Sequence, residues 1–210
     1  MKYTALIVTF NRLGKLKKTV EETLKLEFTN IVIVNNGSTD GTQAWLSSIV
    51  DTRVIVLTLT ENTGGAGGFK TGSQYICEQL ASDWVFFYDD DAYPYPDTLK
   101  SFSQQDKRGC RVFSGLVKDP QGKPCPMNMP FSRVPTSLGD TVRYLRYPAE
   151  FIPAANRSMF VQTVSFVGMV IHRDLLATSL DYIREQLFIY FDDLYFGYQL
   201  SLAGEQIMYS

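Results

Sequence analysis

Four short apolar runs shape the first half of the chain: Ala5–Val8, Ile31–Val34, Val54–Leu57 and Trp84–Phe87. Each is nearly continuous rather than alternating, the pattern of strands covered on both faces, as in a parallel sheet. Helical spacing fills the intervals. Leu13, Leu16, Val20 and Leu24 recur on one side, with Lys15, Lys18, Glu21 and Lys25 on the other. The stretch "STDGTQAWLSSI" predicts a capped start at Ser38 or Thr39 followed by a helix, and Phe69–Leu80 predicts a third helix. Strands alternating with helices restrict the chain to an α/β fold with right-handed crossovers and a mostly parallel central sheet flanked by helices.

Beyond Ala92 the pattern loosens. A helix is predicted over Asp97–Gln105, a strand over Val112–Val117, and β-rich structure over Phe160–Ile171. A further helix begins at Arg173, and the last runs from near Asp192 to Gly204. Four prolines in Lys118–Phe131 predict a loop or flap there. With 210 residues and no linker or repeat, the chain reads as one domain, residues 1–210. The net charge of -2 and the lack of a long basic block argue against nucleic acid. The lysines of "KLKK" (Lys15–Lys18) read as a solvated helix face with some capacity to meet anionic lipid. Cys77, Cys110 and Cys125 have neither metal-ligand nor CxxC spacing, which favours a reducing, cytoplasmic compartment over a disulfide framework. No run is long enough to span a bilayer.

Each early strand ends in a distinctive polar or glycine-rich segment: "TFNR" (Thr9–Arg12), "NNGSTDGT" (Asn35–Thr42), "ENTGGAGGF" (Glu61–Phe69) and "DDDAYP" (Asp89–Pro94). In open α/β sheets ligands bind beyond the carboxyl ends of the strands. Each segment also has a plainer reading. Asn36-Gly37 is good turn chemistry, though an Asn amide can also pair with a nucleobase edge. Arg12 is a surface charge or a base-stacking group. Gly64, Gly65, Gly67 and Gly68 form a flexible turn, or let a ligand approach the backbone before a helix N-terminus. In an extended segment Asp89 and Asp91 face one side and Asp90 the other, a pairing suited to Mg2+ or Mn2+. Asp192 and Asp193, embedded in "FIYFDDLYFGYQLSLAG", either cap a helix or supply a general base in an aromatic pocket. The residues themselves leave open which of the two would be the base.

In order and spacing, "VTFNR", "IVNNGSTDGT", "ENTGGAGGF", "YDDDAYP", "FVGMVIHRD" and "FIYFDDLYFGYQLSLAG" resemble inverting glycosyltransferases of the GT-A fold, family 2. The form "NTGGAGGF" is similar to the galactofuranosyltransferase and rhamnosyltransferase-like branch. The resemblance implies a nucleotide-sugar-binding half (residues 1–92) and an acceptor-side half (residues 93–210). It implies a UDP-galactofuranose, dTDP-rhamnose or UDP-hexose donor and a divalent metal at Asp89 and Asp91, with Asp91 the direct ligand. Asp90 falls near the ribose or donor sugar. Thr9, Phe10, Arg12 and Asn36 line the nucleoside, and Asn62 with Gly64–Gly68 lies beside the ribose and diphosphate. Asp193 takes the position of the base, Asp192 that of its acidic neighbour, and Gly168 lies in the acceptor-side strand. The implied acceptor is a glycan, lipid-linked or free, in cell-surface polysaccharide synthesis, with peripheral association at the inner face of the membrane.

Two departures accompany the resemblance. The family's further metal-ligating His, downstream of the second acidic pair, is missing, and His172 lies upstream and reads as a strand-end residue. The family pattern also continues with a strand where this chain stops at "GEQIMYS", so the expectation is a truncated or naturally short domain. The rival reading is an inactive nucleotide-sugar-binding scaffold. A phosphatase is disfavoured because Ala92 and Tyr93 follow the acids, and a nucleotidyltransferase because no basic N-terminal nucleotide loop is present.

Overall fold

The computed structural model describes residues 1–155 and 157–210. The apolar runs become β1 (Tyr3–Thr9), β2 (Asn30–Asn35), β3 (Val54–Thr58) and β4 (Trp84–Asp89). Between them lie α1 (Leu13–Leu24), α2 (Thr42–Leu46) and α3 (Gly64–Gln79). The remainder contributes α4 (Thr98–Gln104), β5 (Val112–Ser114), α5 (Leu138–Arg146), β6 (Met159–Val161) and β7 (Met169–His172). Then come α6 (Arg173–Ser179), α7 (Asp192–Leu202) and β8 (Ile207–Tyr209).

All eight strands join one sheet in the order β3-β2-β1-β4-β7-β5-β8-β6. β1 pairs in parallel with β2 and β4, and β2 with β3. The order reverses between β1 and β4, which makes their carboxyl ends the switch point where α/β sheets open a ligand crevice. The far half is mixed: β7 runs antiparallel to β4 and β5, β5 and β8 are parallel, and β6 and β8 antiparallel. A mostly parallel sheet is thus realised only in the first half, because β7 enters from the opposite direction.

Side chains alternate across the strands and build two cores. Leu6 and Val8 of β1 join Phe69 and Ile76 of α3 on one face. Ala5 and Ile7 join Leu16 and Val20 of α1 on the other. Nearly continuous apolar runs are what such two-sided burial requires.

Several boundaries differ from expectation. α3 starts at Gly64, inside the presumed glycine turn, rather than at Phe69. Helix propensity disfavours glycine, but here packing decides: a Cβ on Gly68 would lie 2.5 Å from Val8 Cγ1, so only glycine lets α3 approach β1 this closely. α2 begins at Thr42, later than Ser38 or Thr39. Asp40 explains this, since its carboxylate accepts hydrogen bonds from the Thr42 N–H (3.2 Å) and from the N–H of Leu13 at the start of α1 (3.0 Å). The predicted strand Val112–Val117 closes at Ser114, and Phe160–Ile171 divides into β6 and β7 around a bend. α5 was not predicted. Nor was β8, in which Ile207, Met208 and Tyr209 of "GEQIMYS" are buried between β5 and β6.

Candidate active site

The end of β4 begins the site. The strand closes at Asp89, and Asp90 and Asp91 lie in the turn that follows, where the Ala92 N–H donates to the Asp89 carbonyl (3.2 Å). Strand alternation therefore ends at Asp89, and the relative positions of Asp89 and Asp91 are set by the turn rather than by an extended segment. It is Asp90 and Asp91 that share a partner: Arg12 Nη1 lies 3.5 Å from Asp90 Oδ1 and 3.0 Å from Asp91 Oδ2. Lys15 Nζ reaches the same Asp91 oxygen at 2.9 Å.

Asp90 is buried and anchored from two sides. The Thr9 hydroxyl donates to its carboxylate (2.8 Å), and the Thr19 hydroxyl donates to its backbone carbonyl (2.8 Å). One turn along α1, Thr23 meets the Tyr88 hydroxyl at 2.9 Å. Thr9, read from sequence as lining a nucleoside, is 1% exposed and faces Asp90 instead. Thr19 and Thr23 escaped the sequence reading. Their signal was available, because two hydroxyls sit in register with Leu16 and Val20 on the buried face of an amphipathic helix.

Burial raises Asp90, against the pull of the Thr9 hydroxyl and Arg12. Asp89 is pushed up to about 7, first by burial, then by the neighbouring charges of Asp90 and Asp91, with a further push from Asp192. Only Arg12 pulls the other way. A carboxylate crowded by acids at a ligand-binding edge is chemically suited to a hard divalent cation. Among the described residues no three His, Cys, Asp or Glu side chains form a metal cluster, so a cation held here would take its remaining ligands from substrate oxygens and water.

The glycine segment and the second acidic pair meet opposite. Asn36 is 1% exposed and uses its whole amide: Nδ2 donates to Asn62 Oδ1 (3.0 Å) and the Gly64 carbonyl (2.8 Å), while Oδ1 accepts from the Thr63 N–H and hydroxyl (both 3.0 Å). Asn62 Oδ1 also accepts from the Gly64 N–H (2.9 Å). Both asparagines thus pin the β3–α3 connection to the end of β2, and Asn36 has no donor left for a base edge. Phe10 (38% exposed) and the Arg12 guanidinium remain open to solvent beside this rim.

Gly64 adopts φ +74°, a left-handed conformation, and a Cβ there would lie 2.2 Å from the Phe188 carbonyl oxygen. That carbonyl accepts the Ala66 N–H at the start of α3 (3.0 Å). Lys70, near the start of α3, pairs with Glu185 at 3.2 Å. Residues 185–191 thus strap the helix start, and Phe188, Ile189, Tyr190 and Phe191 face solvent.

Asp192 and Asp193 occupy the first turn of α7 and point to different neighbours. Asp192 is buried, its Oδ2 3.9 Å from where a Gly65 Cβ would stand, and burial with the Asp193 charge raises it to about 6. Asp193 is partly exposed and turns toward the β6–β7 bend. Burial raises it too, opposed first by the Leu194 N–H (2.6 Å), then by the Ser165 hydroxyl and the Phe166 N–H. Asn128, in the proline-rich segment, donates to Ser165 Oγ (2.9 Å) and ties that segment to Asp193. Gly168, with φ +90°, lies where the bend enters β7. His172 sits at the opposite end of the sheet, paired with Trp84, and its Nδ1 accepts the Asp174 N–H (3.3 Å) to cap α6.

The Glycosyl transferase family 2 model matches residues 4–163. No curated protein sequence matches the chain. Solved structures do. TarS residues 1–349 from S. aureus is 20% identical with a TM-score of 0.67, matching 100% of this chain and 58% of that one. The mannosyltransferase PcManGT from Pyrobaculum calidifontis, in complex with GDP-Man and Mn2+, is 17% identical with a TM-score of 0.61, over 100% of this chain and 56% of that one. GalNAc-T7, with UDP, GalNAc and Mn2+, is 14% identical with a TM-score of 0.69, over 99% of this chain and 41% of that one. The chain therefore spans little more than half the length of these structures at most, and it shares their GT-A fold.

Proposed function

Because the chain belongs to glycosyl transferase family 2, we propose that it moves a sugar from a nucleotide-diphosphate donor to a glycan hydroxyl with inversion at the anomeric carbon. The observation that carries this reading is that Asp90, held by Thr9 and Arg12, stands at the switch point while Asp192 lies against the glycine segment, its Oδ2 3.9 Å from where a Gly65 Cβ would stand. Exposed Phe10 and Arg12 offer the nucleoside a ring and a planar cation. Asn36 and Asn62 contribute indirectly, by holding the loop that faces the ribose and diphosphate. Asp89 and Asp91 would hold Mg2+ or Mn2+, which supplies neutralisation of charge on the leaving diphosphate. That Mn2+ accompanies nucleotide or nucleotide-sugar in two of the similar structures supports this choice of ion.

Asp193 is the base in this reading. Asp192 is buried against the glycine segment, whereas Asp193 is partly exposed beside the β6–β7 bend, where an acceptor can enter. The acceptor hydroxyl gives its proton to Asp193 as its oxygen bonds to the anomeric carbon and the bond to the diphosphate breaks on the opposite face. General-base assistance of this kind contributes on the order of 10²–10⁴-fold. The donors within reach of the notion are UDP-galactofuranose, dTDP-rhamnose and UDP-hexoses, and the setting is a cell-surface glycan, free or lipid-linked, at the inner membrane face.

The test is release of nucleoside diphosphate when each donor is offered with Mn2+ and a glycan acceptor. A scaffold that binds donor without transfer is the second reading, favoured by the protein cations Arg12 and Lys15 already on Asp91. Donor binding with no diphosphate release from any pair would select the scaffold.

A further inference from the structure

α5 is amphipathic in the wrong sense for a surface helix. At 100° per residue, Leu138, Val142 and Leu145 fall on one stripe about 60° wide. In a globular protein such a stripe faces the core. Here it faces away: the three are 88%, 67% and 75% exposed, and no residue of α5 is buried. The contact with the body is made from another side by Tyr144, whose ring packs on Phe131 (centroids 5.4 Å apart) and on Phe151 (5.7 Å). Ser137 caps the helix through the Asp140 N–H (3.0 Å), so the stripe is presented on an ordered element.

The surroundings are basic. Arg133, Arg143, Arg146 and Arg157 are exposed; Arg133 pairs with Asp140 and Arg143 with Glu150, so the segment from Arg133 to Arg157 keeps an excess of two positive charges in a chain whose net charge is -2. Arg146 flanks the stripe and lies over the ring of half-exposed Tyr147, 5.6 Å from its centroid. A narrow aliphatic stripe with arginines and an aromatic at its margin is the composition of helices that lie in a bilayer interface. Three aliphatic side chains on a nine-residue helix offer far less than the ~1,000 Å² that a stable protein interface buries.

We infer that α5 is an interfacial anchor, inserting Leu138, Val142 and Leu145 into an anionic lipid surface with Arg143 and Arg146 at headgroup level. This deepens the membrane setting given under the proposed function but does not need transfer to occur.

The test is co-sedimentation of the full chain with vesicles of phosphatidylcholine alone and of phosphatidylcholine with phosphatidylglycerol, in the absence of donor. At least fivefold more chain is expected on the anionic vesicles, falling with added salt. The triple variant Leu138→Ser, Val142→Ser, Leu145→Ser should bind at least tenfold less while its thermal midpoint stays within a degree or two, since it changes only exposed side chains. Arg143→Gln with Arg146→Gln should abolish the preference for anionic lipid. Equal binding by the triple variant and the parent overturns the inference. So does absence of binding to anionic vesicles, or a triple variant that converts a dimer to a monomer while still binding them. Vesicle binding without diphosphate release would count against transfer alone, and release without vesicle binding against the anchor alone.

Discussion

In β1 all seven residues are buried, and six pair with β2 and six with β4. In β6 three residues pair with β8 and with no other strand, and Phe160 at its centre is 45% exposed. The parallel half is a layered core that fixes the chain's direction at the switch point. The mixed half is short strands joined by long connections, and it carries the two groups closest to the proposed chemistry on the acceptor side, Asp193 and the β6–β7 bend. The contrast is between these two strands rather than between whole halves, since β5 and β8 are as buried as β1 while β3 in the parallel half is only partly buried. In the proposed function β1 lies under the donor side and β6 beside the acceptor side. A donor site must recognise a nucleotide, and an acceptor site must vary with the glycan.

That contrast can be attacked directly. The largest effect belongs to the acceptor side: Asp193→Asn is expected to lower turnover by roughly 10²–10⁴-fold while leaving donor affinity within a few-fold, read by diphosphate release beside calorimetric donor binding. Turnover near the parent's would move the base elsewhere. In β1, Leu6→Ala empties a fully buried site and should destabilise by about 2–5 kcal/mol in denaturant unfolding. A cost under ~1 kcal/mol would mean β1 is no better packed than β6.

A smaller effect comes from protons. Asp89 rises to about 7 in the folded chain, well above the ordinary carboxylate value of ~4. Between those values the folded state holds more protons than the unfolded one, so stability should fall as pH rises from about 4 to 7. Thermal midpoints of the metal-free chain should be higher at pH 5 than at pH 8. Asp89→Asn should flatten the slope, and Mn2+ should recover the loss at pH 8 in the parent but not in the variant. The smallest effect is expected from Phe160→Ala, at under about 1 kcal/mol by denaturant unfolding, because half-exposed β6 has little packing to lose.

The same contrast governs what the sequence disclosed. Two-sided burial writes itself as unbroken apolar runs, so β1 to β4 were legible to within one or two residues. Three-residue strands leave no such trace, and β8 is only "IMY", indistinguishable from a loop until β5 and β6 flank it. α5 hid for the opposite reason: its Leu138, Val142 and Leu145 serve no core, so their spacing has no buried partner to mark it. α3 was started too late because glycine propensity outweighs, on paper, the contact with Val8 that decides the matter. In the site, the residue types were readable and their pairings were not. The spacing of Asp89 and Asp91 assumed a strand that had already ended, and the amide of Asn36 was free only until the fold placed Asn62, Thr63 and Gly64 around it.

The position of β8 between β5 and β6 has a consequence for synthesis. β1, β2 and β3 have all their strand partners once Asp89 has been made, while β4 still awaits β7, so this part of the sheet can begin to collapse while the chain is still growing. Among the described residues β6 pairs only with residues 207–209, which leave the ribosome about a few seconds after Val161 at ordinary elongation rates. During that interval β6 is an unpaired edge attached to a sheet already collapsing. The vulnerable moment for misassembly falls there, in the half that approaches the acceptor.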